Sequence, residues 1–239
     1  MYTQLDAQFD QIQSLAWLPW VGDNYFSIPQ ENRMLIIGES HYGDRGIEES
    51  KKFFEDRTKT RGLHEEIAID GISYGTRIFP NLHRTLFPNE NINREKREKF
   101  WQLASYYNFI QRPMIKDFAR SDGYVERPNA TDFRSGWHTF FEVYKILKPQ
   151  ICIFIGTTSA DKFNDEIGKV TDLKADKIQW HSEEINRAYP KFTKLYFQDL
   201  ETSLFFIRHT SSRFSSDKWN NYLNGKMGNQ LQWLENELK

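Results

Sequence analysis

The run Met34 to Ile37 constrains this chain most: four apolar residues in succession, closed at once by Gly38 and then by Glu39, Ser40, His41, Tyr42 and a second glycine, Gly43. A short apolar run bounded by a turn signal predicts a buried strand, and strands buried on both faces belong to parallel sheets covered by helices. The pattern returns twice. Ile151 to Ile155 (ICIFI) runs into Gly156-Thr157-Thr158-Ser159, and Leu204 to Ile207 (LFFI) runs into Arg208-His209-Thr210-Ser211-Ser212-Arg213-Phe214. In open α/β sheets, ligands bind outside the carboxyl ends of the strands, where the chain turns sharply and backbone N–H groups face outwards. The polar tails of these strands are therefore the first places to look for a site.

Helical stretches separate the strands. Residues 3–16 carry Leu5, Phe9, Ile12 and Ala16 at helical spacing, with Leu15 beside them, and predict an N-terminal helix. Ile47 to Arg57 reads as a charged surface helix, Leu63 to Ala68 as a short second one, and Thr76 to Phe87 holds a helix starting near Pro80. A helix over 93–103, capped by Asn91 or Asn93, feeds the aromatic-rich strand Ala104 to Ile110 (ASYYNFI). Residues 117–132 are polar and contain Gly and Pro, which predicts a loop. Thr131 or Asp132 then caps a helix from Phe133 to Leu147 with an apolar stripe of Trp137, Phe140, Phe141, Tyr144 and Leu147. A further helix is expected over Ala160 to Ile167. Lys177 to Trp180 and Lys194 to Phe197 are further strand candidates, and an amphipathic helix over 216–238, interrupted near Gly225 and Gly228, closes the chain. Helices alternating with short buried strands predict one domain over residues 1–239 of α/β class. The expected form is a three-layer α/β/α sandwich around a central, mostly parallel four-stranded sheet, with the helices at 3–16 and 216–238 packed on it.

Composition narrows the function classes. Cys152 is the single cysteine, so a disulfide framework within the chain or a site needing several thiolates is excluded; no metal and no cofactor is expected. It lies inside an apolar run, where a small core residue fits better than a nucleophile. Net charge is −1, from 32 Lys and Arg against 33 Asp and Glu, which gives no global pull on nucleic acid. Arg94, Lys96, Arg97 and Lys99 alternate with Glu95 and Glu98, as on a solvated helix face. The first residues show no basic region followed by an apolar stretch, and no apolar run approaches the roughly 18 residues of a membrane span. A soluble, cytoplasmic protein with no membrane partner, monomeric by default, is the expectation.

The order of these motifs resembles the uracil-DNA glycosylase superfamily. That family's first motif is a strand followed by G-x-[DNA]-P, met here by Gly38-Glu39-Ser40-His41-Tyr42-Gly43. Its last is a strand followed by H-P-S in a loop that touches DNA, met here by His209-Thr210-Ser211-Ser212. Between them Tyr107-Asn108-Phe109 resembles the strand that carries the base-reading asparagine, and ILKPQICIFIGTTSADKF the next helix–strand–helix passage. The resemblance spans about residues 30 to 220. It implies a DNA or nucleotide partner and hydrolysis of the N-glycosidic bond of uracil or another damaged base. Asn108 would offer a donor and an acceptor to the base edge. His209 would donate to charge developing on the base carbonyl. Gly38 with its following N–H groups, Tyr42 and Ser211 would hold the base or a phosphate. Ser212, Arg213 and Phe214 would contact DNA, with Phe214 as wedge.

The departures are chemical. Ser40 stands where the most active members place Asp or Asn to position water, and His41 and Thr210 replace motif prolines. Glu39 or His41 would have to take over the water-positioning role. Gly38-Glu39-Ser40-His41 also resembles the GE-x-H signature of erythromycin-esterase-type hydrolases, in which Glu and His act together. A third possibility keeps the fold without the chemistry, as a nucleotide- or nucleic-acid-binding module using Asn108, His209 and Arg213.

Overall fold

The computed structural model describes residues 1–43, 47–117, 124–211 and 213–239. In chain order its strands are β1 (Trp20–Val21), β2 (Met34–Gly38), β3 (Tyr42–Gly43), β4 (Ala104–Asn108), β5 (Met114–Asp117), β6 (Tyr124–Val125), β7 (Ile151–Ile155), β8 (Lys174–Ala175), β9 (Gln179–Trp180), β10 (Lys191–Phe197) and β11 (Leu200–Ile207). The helices are α1 (Asp6–Phe9), α2 (Ile47–Phe53), α3 (Lys59–His64), α4 (Ile78–Leu86), α5 (Arg94–Leu103), α6 (Ala130–Leu147), α7 (Phe163–Ile167) and α8 (Ser216–Glu237).

The main sheet has eight strands in the order β1-β4-β2-β7-β11-β10-β8, with β9 also pairing β10. The expected four-stranded parallel sheet is its centre: β4, β2, β7 and β11 run parallel. Antiparallel additions widen it on both sides. β1 joins β4, and β10 turns back from β11 through a tight hairpin that pairs Phe197 with Leu200. The strand candidates at 177–180 and 194–197 overlap β9 and β10, whereas β1 and β8, two residues each, carry little strand signal. A separate three-stranded sheet, β3-β5-β6, follows the end of β2, and its strand β6 falls inside the 117–132 stretch expected to be loop.

Side chains alternate across the central strands and build two cores. Leu35, Ile37, Tyr107, Cys152, Phe154, Leu204 and Phe206 pack on one face with Trp137, Phe140 and Tyr144 of α6. Met34, Ile36, Tyr106, Ile153, Ile155, Phe205 and Ile207 pack on the other with residues of α4, α5 and α8. The strands read as unbroken apolar runs because both faces are covered.

Several helix boundaries move for local reasons. The segment at 3–16 is helical only over α1; it continues through i→i−3 bonds such as Ile12 to Phe9 and Leu15 to Ile12. Phe9, Ile12 and Leu15 recur every three residues, a spacing that suits tight turns better than a 3.6-residue helix. α6 starts three residues early because Asn129, not Thr131 or Asp132, is its cap: Asn129 Oδ1 accepts from the N–H groups of Thr131 and Asp132, and the Asp132 carboxylate accepts from Asn129 N–H. After β7 a 3-10 turn, Thr157–Ala160, precedes α7, so that helix begins at Phe163. α5 is capped by Asn93, as expected, and α8 kinks at Met227 between the two glycines.

Candidate functional site

The central strands end level with one another. Gly38 pairs with Asn108, and Ile155 with Ile207, so the tails that follow β2, β4, β7 and β11 leave the same edge of the sheet. The ladder continues past β4: Phe109 N–H donates to Gly38 O at 2.9 Å and Ile110 N–H to Glu39 O at 2.8 Å. Gly38 is required here by close approach. A methyl group on it would overlap Asn108 Oδ1 and the Tyr106 hydroxyl, which fill the space a side chain would take. Asn108 is 2% exposed, its Oδ1 accepts from the Tyr106 hydroxyl at 2.8 Å, and its Nδ2 has no partner among the described residues. Gln111 ties this strand end to the N-terminal segment: Nε2 donates to Asn108 O, and Oε1 accepts from Ala16 N–H and Trp17 N–H.

The tail of β2 divides its side chains between two destinations. Glu39 accepts from the Tyr42 hydroxyl at 3.0 Å, while the Lys116 ammonium sits 4.9 Å from the centre of the Tyr42 ring. Burial, followed by the charge of Glu39, pushes the Tyr42 phenol up to about 12. Ser40 Oγ is sealed from solvent and, among the described residues, has no hydrogen bond of good geometry, although the Tyr42 hydroxyl is near enough to feel it. His41 turns the other way. Its ring stacks on Phe54 at 5.1 Å and meets Trp17 edge-on at 4.8 Å, and its Nε2 pairs with Thr60 Oγ1 at 2.8 Å. Burial, with the Lys59 charge adding to it, pushes this imidazole down to about 3.

After β11, His209 is held by its own turn. Its Nδ1 pairs with Ser211 Oγ at 2.8 Å and accepts from Ser211 N–H at 3.4 Å. Accepting at Nδ1 puts the proton of the neutral ring on Nε2, the nitrogen left for a ligand. Burial lowers the pKa of His209; Glu39 opposes that shift, and the charges of Arg127, Lys116 and Arg208 add to it. Glu39, His209 and these three cations therefore share one electrostatic neighbourhood. Thr210, fully buried, anchors the loop to α4: its Oγ1 donates to Ile78 O at 2.9 Å and its O accepts from Asn81 Nδ2 at 2.5 Å. Arg208 donates to Asn186 O. Arg213 is exposed in a left-handed conformation, φ 49°, next to the loop. Phe214 lies flat on Trp219, with ring centres 6.0 Å apart and planes 6° apart, so its ring is packed on the second core where a free wedge was expected. Ser212 lies outside the described residues.

The structure thus brings Gly38 and Asn108 into contact, Glu39 and Tyr42 into contact, and Glu39 into the field of His209, with Ser211 on the histidine. It takes His41 into an aromatic cage and Phe214 onto Trp219. Tyr106, Lys116, Arg127 and Asn81 join the site without having been singled out from sequence; of these, Tyr106 had a signal, since it stands two residues before Asn108 on the same strand face. An open groove of about 840 Å³ lies elsewhere, between the N-terminal segment and α6, lined by residues including Tyr2, Ile12, Phe26, His138 and Lys145. It contains none of the site residues above, and its walls mix apolar side chains such as Ile12 and Phe26 with long polar ones, so the site residues converge instead at the strand ends. Among the described residues no group of three or more His, Cys, Asp or Glu side chains is placed to hold a metal ion, and no helix is long and apolar enough to cross a membrane. No family model and no curated protein searched matches this chain.

Proposed function

We propose that this chain is a divergent three-layer protein of uracil-DNA glycosylase-like fold that hydrolyses the N-glycosidic bond of uracil or another damaged base in DNA. The observation that carries the reading is the centre of the sheet. Its four parallel strands, numbered by their order in the chain, lie 2-1-3-4, and their level ends offer Gly38, Asn108 and His209 along one edge. A flipped base entering there would be read on its edge by Asn108. His209 Nε2–H would donate to the base carbonyl as the bond to the sugar breaks and its electron pair leaves with the base. Water adds to the sugar carbon and gives up its proton to the Glu39 carboxylate.

Glu39 takes that role because the other two candidates are engaged or unsuited. Ser40 Oγ is sealed and lacks a base to activate it, and His41 faces Thr60 and Phe54. The same two facts weigh on the rivals. Glu39 and His41 serve different partners, which removes the support for a GE-x-H hydrolase. The sealed Ser40 favours a second reading, a nucleotide- or nucleic-acid-binding member without chemistry.

The test is incubation with single- and double-stranded oligonucleotides carrying one uracil, scored for abasic sites. Excision that disappears in His209→Ala is expected, with faster excision in Ser40→Asp. Salt-sensitive binding with no excision in either the wild type or Ser40→Asp would overturn the enzyme reading in favour of the binding module.

A further inference from the structure

Tyr106 and Asn108 are neighbours along one face of β4, and the Tyr106 hydroxyl donates to Asn108 Oδ1 at 2.8 Å. The Tyr106 ring packs against His64, Phe79 and Trp101, and among the described residues its hydroxyl has no other hydrogen-bond partner. Burial holds the phenol protonated, far above its ordinary range. Its proton therefore needs an acceptor, and Asn108 supplies one only when Oδ1 faces the ring. With the amide reversed, the phenol proton would meet the two N–H bonds of Nδ2. Gly38 adds to the constraint, since the space where a side chain on it would stand is filled by the same Oδ1 and hydroxyl. The side chain of Asn108 is held one way round.

We propose that Tyr106 determines the specificity of this site: by fixing the Asn108 amide it admits a base edge with N–H beside C=O and rejects one with a bare ring nitrogen beside an amino group. An edge of the first kind, such as that of uracil or hypoxanthine, places its N–H on the second lone pair of Oδ1 and its carbonyl on Nδ2–H. An edge of the second kind, such as that of cytosine or adenine, needs donor and acceptor exchanged, which is the reversed amide. An amide torsion is broad and two-fold, so an asparagine without the phenol turns to suit either edge. The inference rests on the proposed function, because it assumes that Asn108 reads a base.

Tyr106→Phe removes the hydroxyl and keeps the ring. Wild type and variant are titrated by fluorescence anisotropy with two strands of abasic tetrahydrofuran residues, each carrying one uncleavable 2′-fluoro nucleotide, deoxyuridine or deoxycytidine, and melting temperatures are recorded alongside. The wild type is expected to prefer uracil, and the variant to lose roughly three- to tenfold of that ratio, the worth of one hydrogen bond, chiefly by gaining affinity for cytosine. A merely structural role weakens both strands alike and leaves the ratio unchanged; a wild type that prefers uracil with an unchanged ratio in the variant overturns this inference alone. A wild type that binds neither base in preference overturns the proposed function and this inference together.

Discussion

Acidification to pH 5 is expected to remove about 4 kcal/mol of folding stability through two histidines beneath the site, and the figure follows from their surroundings. His64 is 1% exposed among Trp20, Phe79, Trp101 and Tyr106, and among the described residues neither ring nitrogen has a hydrogen-bond partner. Burial drives its pKa well below the ordinary value. His83 is 3% exposed, and its Nε2 accepts from Trp101 Nε1–H at 3.1 Å. Burial, with the Arg97 charge adding to it, pushes it down to about 3. In the unfolded chain both titrate near 6.5. The folded state therefore favours the neutral rings: their contribution is complete above pH 6.5 and is lost as pH falls through 6.5 towards about 3. At pH 5 the unfolded chain gains about 2 kcal/mol from each protonation, so about 4 kcal/mol together, against a typical total of about 5–15 kcal/mol. His41, also pushed down to about 3, adds to this loss by the same route, discounted because the residue is only partly buried. Urea unfolding at pH 7.5, 6.5 and 5.0 measures the loss, and His64→Phe isolates half of it. Phenylalanine forfeits no hydrogen bond there, so that variant is expected to match the wild type at pH 7.5 within about 1.5 kcal/mol and to lose about half as much at pH 5. A wild type equally stable at pH 7.5 and 5.0, or a His64→Phe variant with the full loss, would refute the reasoning.

Two predictions concern the strand ends directly. Gly38→Ala places a methyl group on Asn108 Oδ1 and the Tyr106 hydroxyl; we expect a loss of about 1–3 kcal/mol in chemical denaturation and the loss of uracil preference in the anisotropy titration, and a variant unchanged in both would show that the contact is slack. The pH dependence of uracil excision is expected to be flat from pH 8 to 6.5 and to fall only at lower pH, because burial lowers His209 and its Nδ1 must stay unprotonated to accept from Ser211 N–H. Glu39→Gln, read in the residual rate, removes the charge that opposes this shift and moves the acid limb lower still; an acid limb above pH 6.5 in the wild type would contradict the geometry.

What was legible in the sequence of the fold is what burial on both sheet faces writes as unbroken apolar runs. β2, β7 and the end of β11 are such runs, and their parallel pairing follows from the helices between them. β1 and β8 are two residues long and gain their strand character from the neighbour they pair with, so the sheet is wider than the four strands expected. The N-terminal segment deceived for a different reason. Of the residues expected on one helical stripe, Phe9 and Ile12 are core, Leu5 is half-buried and Ala16 is exposed, while Leu15 beside them is buried, because a period of three suits tight turns. Periodicity reported burial for part of the stripe and backbone conformation incorrectly.

The site divides along the same line. Its orienting contacts are local: Tyr106 with Asn108 and His209 with Ser211 are two residues apart, and Tyr42 with Glu39 three. Such pairs are visible to anyone who knows which residues share a strand face or a turn. Its supporting contacts are remote, with Thr210 reaching Ile78 and Asn81 across 132 and 129 residues. No spacing rule identifies them. The two kinds of contact do different work: the local ones set which atom each polar group presents, and the remote ones set where the loop sits. On the proposed glycosylase reading, Thr210 in place of the motif proline is tolerable, because the threonine hydroxyl and carbonyl fasten to α4 a turn that proline would have stiffened. On the same proposed reading, Ser40 in place of the Asp or Asn is not compensated in that way, since a sealed hydroxyl beside Tyr42 presents nothing to a ligand. The scaffold has absorbed one departure and left the other for Glu39 to answer, and the comparison of Ser40→Asp with wild type measures how fully it does.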